Sequence, residues 1–442
     1  MIERDEVFRI RTRRTPGTLA KVLAAIGEQG AHIGEIETLS ITRDHNVRDV
    51  TVIAPSDEAV DRIRIAISAI ADVELVEHSI DRVFAAHEGG KIAVVPTVDV
   101  TTLLDMRQVY TPGVARVAQA INADPSLADR YTWRRNTVAV ISDGTRVLGL
   151  GDVGPLAALP VMEGKAIFYS LLVGLNGIPI VLDTTDPKEI VETVIRISPG
   201  FGGIHLEDIA SPGVYEIEQA LIERLDIPVL HDDQHGTAVV VLAAVLSALR
   251  LLDRPVESLT FGQIGLGAAG SAIAVLAASL PFRLVTAFDP REEAVARFMR
   301  FASECHAPLQ GTATPGGFDQ VLDEADVLVL TTGKPDLLDR SKVRPGQVVV
   351  ALSNPVPEIS IEEALAGGAA IATDGSIVNN VLAYPGLFRG ALDARASTIT
   401  TRMKRAAAEA LSSLATGGAL LPDPLDRAVH AEVAQRVREA AG

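Results

Sequence analysis

The pattern of apolar and polar positions divides the chain into alternating strand-like and helix-like stretches. Val7-Phe8-Arg9-Ile10-Arg11-Thr12 reads as a half-buried strand. Thr15-Pro16-Gly17-Thr18 opens a helix with Pro near its first turn, and Leu19, Val22, Leu23 and Ile26 give that helix an apolar stripe before Gly27 and Gly30 stop it. Two strands (Ile33 to Thr42, Val47 to Ala54), a helix (Ser56 to Ile70) and a last strand (Val73 to His78) complete a βαββαβ order. Arg9, Arg11 and Arg13 share one strand face, which reads as a solvated face rather than an anion site.

Residues 81–95 are polar and glycine-rich around His87-Glu88-Gly89-Gly90-Lys91 and read as a linker. From Asp105 onward strands alternate with helices. Thr137 to Ile141, Ile178 to Leu182, Gly203 to Leu206 and Pro228 to His231 precede Gly236; Thr260 to Ile264, Arg283 to Phe288, Val327 to Leu330 and Gln347 to Leu352 follow it. This alternation predicts parallel α/β sheets. The apolar run from Ala238 to Leu249 is 12 residues long, short of the ~20 that a membrane span needs, so it reads as a helix buried in protein.

The chain has 442 residues and a net charge of −17. That length suits about three domains, and the charge disfavours a nucleic-acid partner because phosphates would be repelled. Cys305 stands alone, so no internal disulfide can form and a reducing compartment fits. The charged N-terminus, Met1 to Glu6, has no apolar segment of a signal peptide. The expectation is a cytoplasmic protein with no membrane attachment.

Gly265-Leu266-Gly267-Ala268-Ala269-Gly270 follows a strand and opens an apolar helix. Such glycines let backbone approach a pyrophosphate at a helix N-terminus. Asp289 ends the next strand and suits an adenosine ribose, favouring NAD over NADP, while Arg291 nearby softens that preference. A second match, Gly149-Leu150-Gly151-Asp152-Val153-Gly154, is followed at once by Pro155 and reads as a substrate-facing loop.

Glu207-Asp208 and Asp232-Asp233 each follow a strand of one βαβ unit. Parallel, adjacent strands would bring both pairs to one carboxyl-end rim. Four gathered carboxylates need a compensating cation, and oxygen ligands suit Mg²⁺ or Mn²⁺. The alternative is solvated loop acids that cap helices. His231 and His235 flank the cluster and are left outside the metal set.

With Tyr110 to Ala115, Val147 to Asp152, Leu159 to Lys165, Leu206 to Asp208, His231 to Thr237, Ser353-Asn354-Pro355 and Val378 to Val381 in order, the chain from about Asp105 to its end resembles malic enzymes. Its first part resembles an ACT domain, with Thr15 where that family usually has an acid. The resemblance implies an ACT domain over 1–85, a catalytic α/β domain over 86–235 and a Rossmann-type NAD(P) domain with C-terminal helices over 236–442. It implies Lys165 as general base, Tyr110 as general acid and Asp232 as the lysine's partner. Glu207, Asp208 and Asp233 would hold Mg²⁺ or Mn²⁺. Arg146, Asn354 and Asn380 would contact malate; Gly265, Gly267, Ala268, Ala269, Gly270, Asp289 and Asn354 would contact NAD or NADP.

The implied reaction is oxidative decarboxylation of malate to pyruvate and CO₂. Lys165 would need a depressed pKa, which burial and a nearby metal favour and Asp232 opposes. Malolactic decarboxylation to lactate uses the same motifs. An ACT-regulated amino-acid dehydrogenase would not need the carboxylates, and a catalytically dead ACT metabolite sensor would not need Tyr110, Lys165, Asp208 and Asp233 together. The first domain either binds a small effector or serves dimerisation alone, and a homodimer or higher homo-oligomer is expected.

Overall fold

The computed structural model describes residues 4–76, 80–147, 150–304 and 317–442. Cys305, Gly149 and the end of the strand expected to reach His78 lie outside the described residues. Two compact units divide the chain, 1–93 and 94–442.

The first unit has strand β1 (Arg4–Arg13), helix α1 (Thr18–Gly27), β2 (His32–Ile41), β3 (His45–Ala54), α2 (Asp57–Ser68) and β4 (Val73–Leu75). The short β5 (Ile80–Asp81) pairs with β1 before α3 (Arg82–His87). The sheet runs β2-β3-β1-β4 with antiparallel neighbours, a ferredoxin-like arrangement. Phe8 and Ile10 on β1 pack against Val22, Ile26, Ile63 and Ile67 of the two helices. The arginine face of β1 is neutralised by acids: Arg9 Nε lies 2.8 Å from Asp49, and Arg11 Nη1 lies 3.0 Å from Glu74. β2 is exposed along its whole length and carries Ile33, Ile36, Leu39 and Ile41 outward.

The second unit begins with α4 (Leu103–Val109), α5 (Gly113–Ala123) and the one-turn α6 (Ala128–Tyr131), none of which buries a side chain fully. A parallel sheet follows, built from β6 (Thr137–Ser142), α7 (Gly154–Val173), β7 (Asn176–Val181), α8 (Pro187–Ile197), β8 (Gly203–Leu206), α9 (Gly213–Arg224) and β9 (Val229–His231). Its order is β7-β6-β8-β9. Helix α10 (Asp232–Leu251) then leads to β10 (Thr260–Ile264), α11 (Ala268–Ala278), β11 (Leu284–Phe288), α12 (Glu292–Glu304), α13 (Phe318–Glu324), β12 (Val327–Leu330) and β13 (Val348–Ala351). After α14 (Ile361–Ala366) comes β14 (Ile371–Asp374), a short strand whose apolar pattern is too brief to read in the sequence. The second sheet is also all parallel, in the order β11-β10-β12-β13-β14. Helices α15 (Tyr384–Ala394), α16 (Thr401–Leu414) and α17 (Arg427–Ala440) close the chain.

α10 is apolar nearly all round, as a helix enclosed by protein must be. Val239, Val240, Leu242, Ala243 and Val245 are fully buried in the core that also takes in Ile273 of α11 and Leu411 of α16. Each such valine or leucine stabilises the fold by roughly 1.5–3 kcal/mol. α7 and α10 are both long and apolar enough to cross a membrane; α10 is enclosed by protein, while α7 packs against β6 and β7. The expected boundary between residues 235 and 236 falls inside the first turn of α10, which runs unbroken from the first sheet to the second.

Candidate active site

The rim is made by strand register. Leu206 of β8 lies opposite His231 of β9, so the acid pairs that follow each strand emerge side by side. β6 pairs with β8 on the other side, and its C-terminal loop joins the same rim. There Thr145 Oγ1 accepts the Ala210 N–H at 2.8 Å, and the Arg146 N–H reaches the Asp208 carbonyl at 3.1 Å. This seats Arg146, with an exposed side chain, beside the first acid pair.

Asp208 adopts a left-handed backbone, φ 54°, a strained state that aspartate tolerates better than most residues. Its N–H donates to Asp233 Oδ2 at 3.1 Å and so ties the two acid pairs together. Asp232 is wholly buried at the start of α10. A Cβ at Gly236, one turn later, would stand 1.8 Å from Asp232 Oδ1, so only glycine lets this carboxylate fold back against its helix.

Lys165, three turns into α7, is the cation among these acids. Its Nζ lies 2.6 Å from Asp232 Oδ2 and 2.8 Å from Glu207 Oε1. The ring of Tyr384 faces the ammonium at 4.8 Å. Burial opposes the charge on Lys165, but Asp232 and Glu207 outweigh it and hold the amine well above its ordinary pKa. The depressed lysine expected from the sequence therefore is not a property of the protein groups alone. Burial also raises the Glu207 carboxyl to about 7, against the pull of Lys165.

His205 sits behind Glu207, donating from Nε2 to Glu207 Oε2 at 2.7 Å while Tyr169 Oη meets its Nδ1 at 2.8 Å. Burial lowers the imidazole to about 3. The ring is therefore neutral, accepting from the tyrosine and donating to the carboxylate. A continuous chain of hydrogen bonds runs Tyr169, His205, Glu207, Lys165, Asp232. Glu218 supports the second acid pair. Its Oε1 accepts the His231 N–H at 2.8 Å and its Oε2 meets His235 Nε2 at 3.2 Å. His231 in turn reaches Asp233 Oδ2 at 3.3 Å. Burial opposes ionisation of Asp233, but His231 and the Asp208 N–H hold its carboxyl well below the usual range.

Glu207, Asp208 and Asp233 each offer an oxygen within 4.8 Å of the others. An all-oxygen set of this kind fits Mg²⁺ or Mn²⁺. His205, Glu207 and Asp232 are equally close, but the Lys165 ammonium already bridges those two carboxylates, so this second triad does not fit a metal. Asn380 lies at the same end, where its Oδ1 accepts from Thr237 Oγ1 of α10 at 3.1 Å. Asn354 is exposed in the loop after β13. That loop is organised by Glu358, which takes the N–H groups of Thr332 and Ser353 at 2.6 and 3.0 Å. Tyr110 stands at the end of α4 and is 68% exposed. Among the described residues no hydrogen bond, ion pair or ring contact joins it to the acids and lysine.

The second sheet presents the glycine turn as expected. Gly265 has φ +93°, and a Cβ there would lie 2.5 Å from the Thr331 carbonyl. A Cβ at Gly270 would lie 2.0 Å from the Gly265 carbonyl, whereas at Gly267 nothing stands within 4 Å. The first two are glycine for packing. Gly267, the residue that caps α11 ahead of Ala268 and Ala269, leaves the open approach a pyrophosphate needs. Asp289 takes the Leu266 N–H at 2.9 Å and a forked ion pair from Arg291, both arms 2.9 Å. At the end of the second glycine pattern, the N–H groups of Val153 and Gly154 donate to the Gly144 carbonyl where the chain enters α7.

Residues 89–222 match the model of the malic enzyme N-terminal domain. The chain is 44% identical to NAD-dependent malic enzyme 1 of Bacillus subtilis over 98% of its own length and 96% of that protein's. It is 43% identical to an NAD-dependent malic enzyme of Geobacillus stearothermophilus, covering 96% and 90%. The malic enzyme of Pyrococcus horikoshii superposes with a TM-score of 0.75 at 38% identity over 81% of this chain and 90% of that one. The chain belongs to the malic enzyme family, NAD(P)-dependent oxidative decarboxylases of malate.

Proposed function

We propose that the rim of the second unit oxidises malate and releases pyruvate and CO₂, with Lys165 and Tyr110 moving the protons. The observation that carries this reading is the lysine bridging Glu207 and Asp232 beside the all-oxygen triad. Glu207, Asp208 and Asp233 would hold a divalent cation that supplies Lewis-acid polarisation, and the Gly265–Gly270 turn would hold the dinucleotide that supplies the hydride acceptor. Lys165 takes the proton of the malate 2-hydroxyl as hydride leaves C2. Asp232 fixes the direction of the amine, and Gly236 keeps Asp232 in place. Two carboxylates hold the free lysine protonated, so its basic form requires the charge on Glu207 to be neutralised first. Arg146, Asn354 and Asn380 bind the substrate's carboxylates and turn C2 toward the cofactor. After CO₂ leaves, Tyr110 delivers a proton to C3.

The first unit is proposed to be an ACT domain that regulates the enzyme or pairs two copies. Its ferredoxin-like sheet and the exposed apolar edge of β2 support this. Exposed Leu103, Leu104, Met106 and Val109 on α4 further support a homodimer or higher homo-oligomer. The site of action is proposed to be the cytoplasm. The test is initial rates with malate, each cofactor in turn, and Mn²⁺ with or without EDTA. NADH or NADPH formation that EDTA abolishes is expected, and metal-indifferent rates would overturn the reading.

A further inference from the structure

A cavity of about 410 Å³ opens between α9, the first turn of α10, α11 and α12. This is the size of a small-ligand site. Its wall contains none of the metal-site carboxylates, Lys165, the substrate asparagines or the Gly265–Gly270 turn. Tyr215 and Phe301 form apolar sides, and the Arg297 guanidinium covers the Tyr215 ring at 5.2 Å. Arg300 stands one turn further along α12.

Hydrogen-bonding capacity at this wall is left over. Gln234 is 1% exposed, and its Oε1 faces His231 Nδ1 at 3.4 Å. Its amide Nε2 has no acceptor among the described residues, nor does the buried Arg297 Nε. A buried donor without a partner is costly, and both of these line one cavity. Glu218, also in the wall, already directs its two oxygens at His231 and His235. Glu216 is exposed. The unused capacity is thus the Gln234 amide and Arg297 Nε donors together with the Tyr215 hydroxyl, which donates or accepts; backed by two guanidinium groups, it suits an acceptor-rich guest.

We propose that this cavity binds a small oxyanion, the carboxylate or phosphate group of a metabolite, through Arg297, Arg300 and Gln234. The charged fork of an arginine suits either group. Gln234 follows the metal ligand Asp233 in α10 and Ser271 lies in the first turn of α11, so the cavity adjoins both helices at their starts.

The test is calorimetric titration of the full-length enzyme, saturated with NAD and Mg²⁺, with inorganic phosphate and separately with succinate. Wild type is compared with Arg300→Gln, an exposed position that leaves the fold intact, and with Arg297→Gln/Arg300→Gln. The expected result is a binding step weakened at least tenfold in the double variant, with KM for malate unchanged. Loss of the phosphate step alone assigns a phosphorylated guest; loss of the succinate step alone assigns a carboxylate. Phe301→Trp, which fills the cavity, should weaken the same step. Titrations identical in wild type and all three variants, or no binding step in wild type, would overturn the proposal.

Discussion

Lys165 Nζ lies 2.6 Å from Asp232 Oδ2, and that carboxylate has room to meet it only because residue 236 has no side chain. A general base contributes about 10²–10⁴-fold to a rate. Lys165→Ala should lower kcat for malate oxidation by roughly that factor while the variant still binds NAD. Stopped-flow measurement of NADH formation checks this, and near-normal oxidation would remove Lys165 from its proposed role.

Gly236→Ala should act through Asp232. Forcing a methyl into this contact is overpacking and should cost about 1–3 kcal/mol of stability, with a fall in kcat. Gly164→Ala is the control for stability. It lies in α7, and nothing stands within 4 Å of its Cβ position, so the change should be neutral or stabilise by up to about 1 kcal/mol. Thermal melts of both variants separate crowding at Asp232 from a general intolerance of alanine.

Metal should bind by relieving repulsion among Glu207, Asp208 and Asp233. Mn²⁺ at a hundredfold over its dissociation constant should then stabilise the enzyme by about 2.7 kcal/mol. Asp233→Asn should lose most of that gain in a melting experiment. An equal gain in the variant would place the ion elsewhere.

Cofactor choice should turn on Arg291. Its fork occupies both oxygens of Asp289, the carboxylate proposed to receive the adenosine ribose. The side chain is 67% exposed and free to swing toward a 2′-phosphate. A hydrogen bond to a charged group contributes about 1.5–3 kcal/mol. Arg291→Ala should therefore shift the ratio of kcat/KM values toward NAD by at least about tenfold. A ratio that does not move would free the preference from this pair.

Tyr110→Phe should slow proton delivery to C3 more than hydride transfer. The expected signature is a lower rate of deuterium exchange into the pyruvate methyl group with a smaller change in malate oxidation. Equal effects on both would make Tyr110 a packing residue.

Much of this site was legible because its chemistry lies next to regular elements. Glu207 and Asp232 each follow a strand, and parallel pairing of adjacent strands carries them to one rim without further information. The glycine turn was legible for the same reason. His205 was not, because its place in a strand reads only as an alternating position, and its partners come from α7 and from the residue two positions on. Glu218 was hidden likewise: on α9 it resembles any amphipathic helix acid, and only the turn into α10 gives it the His231 N–H. The resemblance also placed a division between residues 235 and 236. The structure shows that Gly236 serves the Asp232 contact inside a continuous helix.

That helix has a consequence of its own. The 20 residues of α10 span about 30 Å, from the acid pair at one end to the packing against α11 and α16 farther along. The separation between acid cluster and cofactor platform is thus counted in helical turns rather than set by a flexible joint. One inserted residue would rotate everything beyond it by about 100°. α10 works as a ruler that fixes this distance by its length.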